Sequence, residues 1–186
     1  MQRHLDQKRQ GSLAPSWSLP VFFGLAFAIS WAFWGLAIVA GDTALGALGF
    51  YSGGFGPLLA ALITTRLIGR SPLAWLKGLW RWRVPPGFWL FAFGFPIALA
   101  LAASALHGAL GGQVSLDGLG GRIALWLPTF LTVTLIGGGN EEPGWRGFAL
   151  PELQQTLPPF DATRGLGAWW AMVHLPLNGV TGGGFG

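Results

Sequence analysis

The sequence has no cysteine, a single tyrosine and only seven acidic residues among 186. The missing thiols exclude disulfides, thiolate metal sites and a cysteine nucleophile together. Charged residues make up 10% of the chain, against about a quarter in an ordinary soluble domain. No Ser or Thr adjoins a histidine, so no nucleophilic triad is assembled locally. The glycines at 137–139 lack the Lys-Ser/Thr that would complete a phosphate loop.

What the chain has instead is apolar length. Hydrophobic residues reach 52%, with eleven Trp and fourteen Phe, and several runs approach the ~20 residues that a spanning helix needs. The expected fold is all-α: a multi-pass transmembrane bundle of about five spanning helices and one interfacial amphipathic helix. Residues 1–19 read as a polar tail, and 20–186 as one membrane-embedded domain.

Helix one is expected from about Pro20 to Ala40, too long for the apolar region of a signal peptide, with Asp42 in the turn after it. Helix two runs from Ala44 to Thr65; Gly49 and Gly53 allow close approach of a neighbour, and Gly56-Pro57 predicts a kink. Arg66–Val84 carries Arg66, Arg70, Lys77, Arg81 and Arg83 with no acidic residue, beside Trp75, Leu76, Leu79 and Trp80, and reads as the amphipathic interfacial helix. Helix three spans Phe88–Leu106, ended by His107. Helix four runs from Arg122 to Ile136, 147–163 is a polar connector, and Leu166–Val180 is the last apolar stretch.

The basic residues orient this bundle. Ten of the eleven Lys and Arg fall on one side, and only Arg122 on the other. The positive-inside rule then puts the N-terminus in the cytoplasm, together with the loop holding Glu141 and Glu142. The expected location is the cell membrane, of a plasma-membrane, multi-pass kind, with the lipid bilayer as partner. Membrane orientation accounts for the net charge of +4, so no nucleic-acid partner is expected.

Ionisable residues within or beside spans are candidates for function. Two places qualify: Gly-Gly-Gly-Asn-Glu-Glu-Pro-Gly-Trp-Arg at 137–146, and His174. Asn140 is a good N-cap and Pro143 suits a first helical turn, so a helix is expected to start at Asn140. Glu142 and Arg146 would stand on one face and pair. Glu141, roughly 100° away, stays available. With His174 two turns or more into the last helix, the carboxylate and imidazole could share a cavity, Glu141 taking a proton from water and His174 positioning that water or shuttling the proton. A polar turn at the interface and a packing histidine are the plainer alternatives. His4 reads as solvated, and His107 falls on the opposite side of the membrane.

Glu141-Glu142-x-x-x-Arg146, followed by Trp170-x-x-x-His174-Leu-Pro, resembles the first two motifs of the CAAX-protease and bacteriocin-processing (CPBP, or ABI) family of intramembrane endopeptidases. The resemblance covers about residues 54–178, with Trp170 standing where Phe is common. It implies an α-helical membrane protease with a cytoplasmic site, cutting a peptide or membrane-anchored protein. Glu141 and His174 would activate water, supported by Glu142 and Arg146. It implies either a zinc ion on Glu141 and His174 or a metal-free attack driven by the glutamate. The family's later helix, bearing a further His and an Asn, has no counterpart before Gly186; the domain therefore reads as C-terminally incomplete, a fragment or a natural truncation. A zinc site generally needs three protein ligands, and oxyanion donors are not identifiable in the sequence. The alternative function is a non-catalytic relative that binds a peptide in the same cavity, as in bacteriocin immunity or regulation.

Overall fold

The computed structural model describes residues 15–80, 83–115 and 117–180, all helix, turn and loop with no strand among them. Most of the expected tail, with His4, lies outside these residues, as do Arg81, Trp82 and the Gly-rich end at 181–186. Two units divide the chain, residues 1–79 with 131–186, and residues 80–130.

The first unit is built around α1 (Ser18–Ala40). Gly41, at φ 57°, ends it in a conformation that glycine adopts freely. The chain turns at Asp42, and Thr43 caps α2 (Ala44–Gly53) by accepting from the Gly46 N–H. α2 returns along α1 at a distance only glycine permits: a Cβ on Gly49 would stand 2.7 Å from the Phe33 carbonyl oxygen. Two hydrogen bonds lock the pair, Ser30 Oγ to Gly53 O at 2.8 Å and Trp34 Nε1 to Phe50 O at 3.0 Å. The kink expected at Gly56-Pro57 is a break at residues 54 and 55, with α3 (Gly56–Leu67) bent 51° from α2.

Of the interfacial helix expected over Arg66–Val84, α4 (Pro72–Leu79) is the part that forms among the described residues. Arg66 still belongs to α3, and Gly69, at φ 78°, turns the chain between the two. Beyond the candidate site, the 147–163 connector is shorter than expected. The helical run continues to Leu153, and the next helix, here α9, already starts at Pro159 and ends at Val173. α9 lies beside α1: Trp169 stacks on Phe23 at 4.6 Å, and Trp31 Nε1 donates to Val173 O at 2.8 Å. Phe22, Phe23, Ala26, Trp34, Ala60 and Trp145 are the centre of the buried core. Fully burying a large side chain of this kind contributes about 1.5–3 kcal/mol.

The second unit holds α5 (Pro86–Ala109) and most of α6 (Leu119–Leu135). α5 exposes its apolar side chains all round, with Leu90, Phe91 and Leu101 each more than half exposed. His107 lies in its last turn, where its ring occupies the place a side chain on Gly112 would take.

Three described helices are long and apolar enough to cross a membrane: α1, α5 and the stretch Gly120–Leu153. The bent pair α2–α3 makes a fourth if counted as one span.

Candidate active site

The site begins where the glycines allow α6 to stop. Gly138 has φ 138°, and a Cβ on Gly139 would collide with the backbone of Thr134. A 3₁₀ turn (Gly139–Glu141) follows, then α7 (Glu142–Gly144), a π turn (Trp145–Ala149) and α8 (Leu150–Leu153). The helical path thus resumes directly. The glutamates lie within the 34-residue Gly120–Leu153 stretch, not in a loop beyond it. Asn140 is not the expected N-cap either. It sits inside the 3₁₀ turn, and its Oδ1 reaches back to accept from the Gly138 N–H at 3.0 Å.

The two glutamates part as the 100° helical step predicts. Glu142 faces outward and pairs with Arg146. Both side chains of that pair are left exposed by the rest of the protein. Glu141 turns inward and is buried. Its Oε2 accepts from Trp145 Nε1 at 2.9 Å, one turn further on. Trp145 is fully buried, edge-on to Phe22 at 5.5 Å. One oxygen of the carboxylate is thereby held by the core, and the other is left to face His174.

His174 lies more than two turns from the start of its helix, as expected, but at the helix end. It terminates α9, because Pro176 cannot continue the ladder. The Trp31 bond to Val173 O fixes the backbone one residue earlier. Rings of Trp34 and Trp170 flank the imidazole at 5.4 and 4.6 Å. His174 Nδ1 lies 2.7 Å from Trp170 O. A carbonyl oxygen only accepts, so Nδ1 carries a proton and donates it. The second nitrogen, Nε2, lies 3.4 Å from Glu141 Oε1. Two lone pairs do not face each other at that distance without a proton between them. The pair is therefore placed to share one proton.

Glu141 and His174 open on a cavity of about 250 Å³, lined also by Trp34, Tyr51, Gly54 and Trp170. Trp34 stands sixteen residues along α1 from Ser18, on the order of 20 Å by helical rise. The cavity thus lies nearer the Ala40 end of α1 than the Ser18 end.

A zinc ion would find Glu141 and His174 here. Among the described residues no group of three His, Cys, Asp or Glu side chains comes together, so the three-ligand set that zinc generally requires does not fit them. Glu142 is committed to Arg146 on the outward face. Asn178, four residues past His174, is exposed.

Trp145 and Trp31 are site residues that the sequence reading does not single out. The i,i+4 spacing from Glu141 to Trp145 is a legible signal, equal to that from Glu142 to Arg146. A second clamp is equally hidden in the sequence. Buried Glu152 accepts from Arg70 at 2.8 Å and from Gln155 Nε2 at 2.5 Å, and Trp75 Nε1 donates to Gly147 O at 3.2 Å. These bonds tie the helical run bearing Glu141 to the turn after α3 and to α4.

The fold and site thus define an all-helical, membrane-type chain in which a buried carboxylate stands beside a part-buried imidazole. No family model, curated protein or solved structure matches it.

Proposed function

We propose that the chain is an intramembrane endopeptidase of the CAAX-protease type, hydrolysing a peptide or membrane-anchored protein with water activated by Glu141 and His174. The observation that carries this reading is the pair itself, a buried carboxylate 3.4 Å from a part-buried imidazole, opening on a cavity. The two sequence motifs support it independently. Glu141 takes a proton from water as the water oxygen adds to the scissile carbonyl carbon. His174 relays that proton to the leaving nitrogen as the carbon–nitrogen bond breaks. Trp145 positions Glu141, and the Trp170 carbonyl holds the imidazole so that Nε2 faces the carboxylate. No step requires a metal.

In this reading the Ser18 end of α1 is cytoplasmic. α3 runs back from the break at Gly54 and brings Arg66 and Arg70 toward that end. α9 is a fifth, shorter span beside α1. The bilayer covers the apolar flanks, and the substrate reaches the cavity from within the membrane.

The test is cleavage of a membrane-anchored reporter peptide by protein in proteoliposomes. Glu141→Gln keeps the shape and removes the base, and should slow cleavage at least 10²-fold, within the roughly 10²–10⁴ that a positioned proton-transfer group is worth. His174→Gln should fall in the same range. Undiminished cleavage by Glu141→Gln would overturn the proposal. Binding of the peptide without cleavage by the unmodified chain would point to the non-catalytic relative instead.

A further inference from the structure

Asn140 precedes Glu141 and is buried to nine-tenths. Its amide has only one orientation open to it. The Gly138 N–H, 3.0 Å away, needs an acceptor, which only Oδ1 can be. Nδ2 is thereby turned the other way, and it has no hydrogen-bond partner among the described residues. A buried donor left unpaired is costly, and native structures seldom keep one without a reason.

Nδ2 is turned toward Gly54. A Cβ built on that glycine would stand 3.1 Å from Nδ2. Gly54 lines the same cavity as Glu141 and His174, at the break where α3 bends 51° from α2. A donor with no partner thus stands behind a wall that has no side chain, one residue from the candidate base.

We propose that the Asn140 side-chain amide is the oxyanion donor of this site, a deepening that rests on the hydrolase reading above. As the water oxygen bonds to the scissile carbon, its proton passes to Glu141 and the carbonyl π electrons move onto oxygen. Asn140 Nδ2–H donates to that oxygen. When the tetrahedral carbon collapses, the electrons return, the carbon–nitrogen bond breaks, and the leaving nitrogen takes the proton through His174. Nδ2 is covered in the resting chain, so the Gly54 backbone at the helix break must move aside for the substrate oxygen to reach it. The bond forms with developing charge, so it acts in the transition state more than in the bound substrate.

The experiment compares unmodified protein, Glu141→Gln, Asn140→Ser and Gly54→Ala on one membrane-anchored reporter peptide in proteoliposomes, reading kcat and KM separately. A serine hydroxyl still accepts from the Gly138 N–H but no longer extends to Gly54. Asn140→Ser should lower kcat roughly 10²–10³-fold, the usual loss for one oxyanion donor, with KM little changed. Binding of a peptide phosphonate should weaken by a similar factor. Gly54→Ala, whose methyl fills the approach to Nδ2, should lower kcat in the same direction. An Asn140→Ser enzyme with full kcat, beside an inactive Glu141→Gln, would overturn the oxyanion assignment alone. So would equal losses in substrate and phosphonate binding, which mark a structural role. If Asn140→Ser does not fold, full kcat in Gly54→Ala overturns the assignment. Inactive unmodified protein, or an active Glu141→Gln, removes the hydrolase reading and this assignment with it.

Discussion

α1 and α5 are matched in the property that marks them as membrane helices and opposite in what they do with it. They have 23 and 24 residues and the same mean hydropathy of 2.0. Yet a third of the α1 window is buried by the rest of the protein, and none of the α5 window is. The difference lies in a few polar atoms and small residues. α1 offers Ser30, Trp31 and Trp34, and each donates to a backbone carbonyl on another element. α5 has Ser104, which bonds within its own helix to Ala100 O, and stacked pairs such as Phe91–Phe95 along its own surface. Hydropathy sets a helix apart from water.

The comparison breaks most readily at the clamp of the first unit. Arg70→Ala leaves the Glu152 carboxylate buried, with Gln155 still donating to it. Loss of one partner from a fully buried pair costs about 3–5 kcal/mol, and the part-exposed arginine here brings the expected loss to about 2–3 kcal/mol. Thermal unfolding in detergent measures it. Glu152→Gln should restore part of the loss in the double variant. A stable Arg70→Ala protein would make the clamp incidental.

Next come paired glycine substitutions. A methyl on Gly144 would overlap the Pro57 backbone, so Gly144→Ala should destabilise by about 1–3 kcal/mol. In α5, the nearest atom to a methyl on Gly94 is a Leu90 side-chain carbon at 4.0 Å. Gly94→Ala should be neutral or stabilising, by up to about 1 kcal/mol of helix propensity. Equal losses at both positions would mean that α5 is packed as tightly as α7 is against α3.

Much of this is legible in the residues. The α1 span, the Gly56-Pro57 bend, the separation of Glu141 from Glu142 and the pairing of Glu142 with Arg146 all follow from spacing along one helix. What escapes depends on contacts between elements. Asn140 reads as a cap because Asn before Glu-Glu-Pro usually is one, but the Gly138 φ of 138° carries the preceding N–H within reach of its oxygen. The connector reads too long because Pro151, Pro158 and Pro159 suggest breaks. Pro151 sits in the first turn of α8 and Pro159 in that of α9, where proline is tolerated. The exposure of the Glu142–Arg146 pair is not encoded in its spacing, because i,i+4 geometry is the same on a buried face and an open one.

A smaller effect is expected at Trp145, where the two kinds of support can be separated. Trp145→Phe keeps a ring against Phe22 and removes the N–H that Glu141 accepts. Hydrogen bonds to charged groups are worth about 1.5–3 kcal/mol. The lower end is expected in unfolding measurements, since His174 still faces the carboxylate. The rate of peptide cleavage should fall further than stability does, because one oxygen of the candidate base is no longer held.

The smallest effect belongs to Arg146, and it tests what surrounds the first unit. Arg146 and Glu142 make an i,i+4 pair with side chains 62% and 45% exposed. Trp145, the preceding residue, packs on Phe22 and Phe23, about one turn from Ser18. Arg146 therefore stands near the Ser18 end of the unit, where water or lipid headgroups solvate it in the proposed orientation. An exposed pair contributes about 0.2–1 kcal/mol, so Arg146→Ala should barely move the unfolding temperature in detergent or in liposomes. The cysteine-free sequence gives a second readout. An Arg146→Cys variant carries a single thiol, which a membrane-impermeant maleimide should label in inside-out vesicles and not in right-side-out cells. Leu101→Cys, on the exposed surface of α5, should resist the reagent from both sides. A loss of several kcal/mol in Arg146→Ala, together with no labelling of Arg146→Cys from either side, would mean that the pair is covered, and that the open face of the first unit is a buried surface like that of α1.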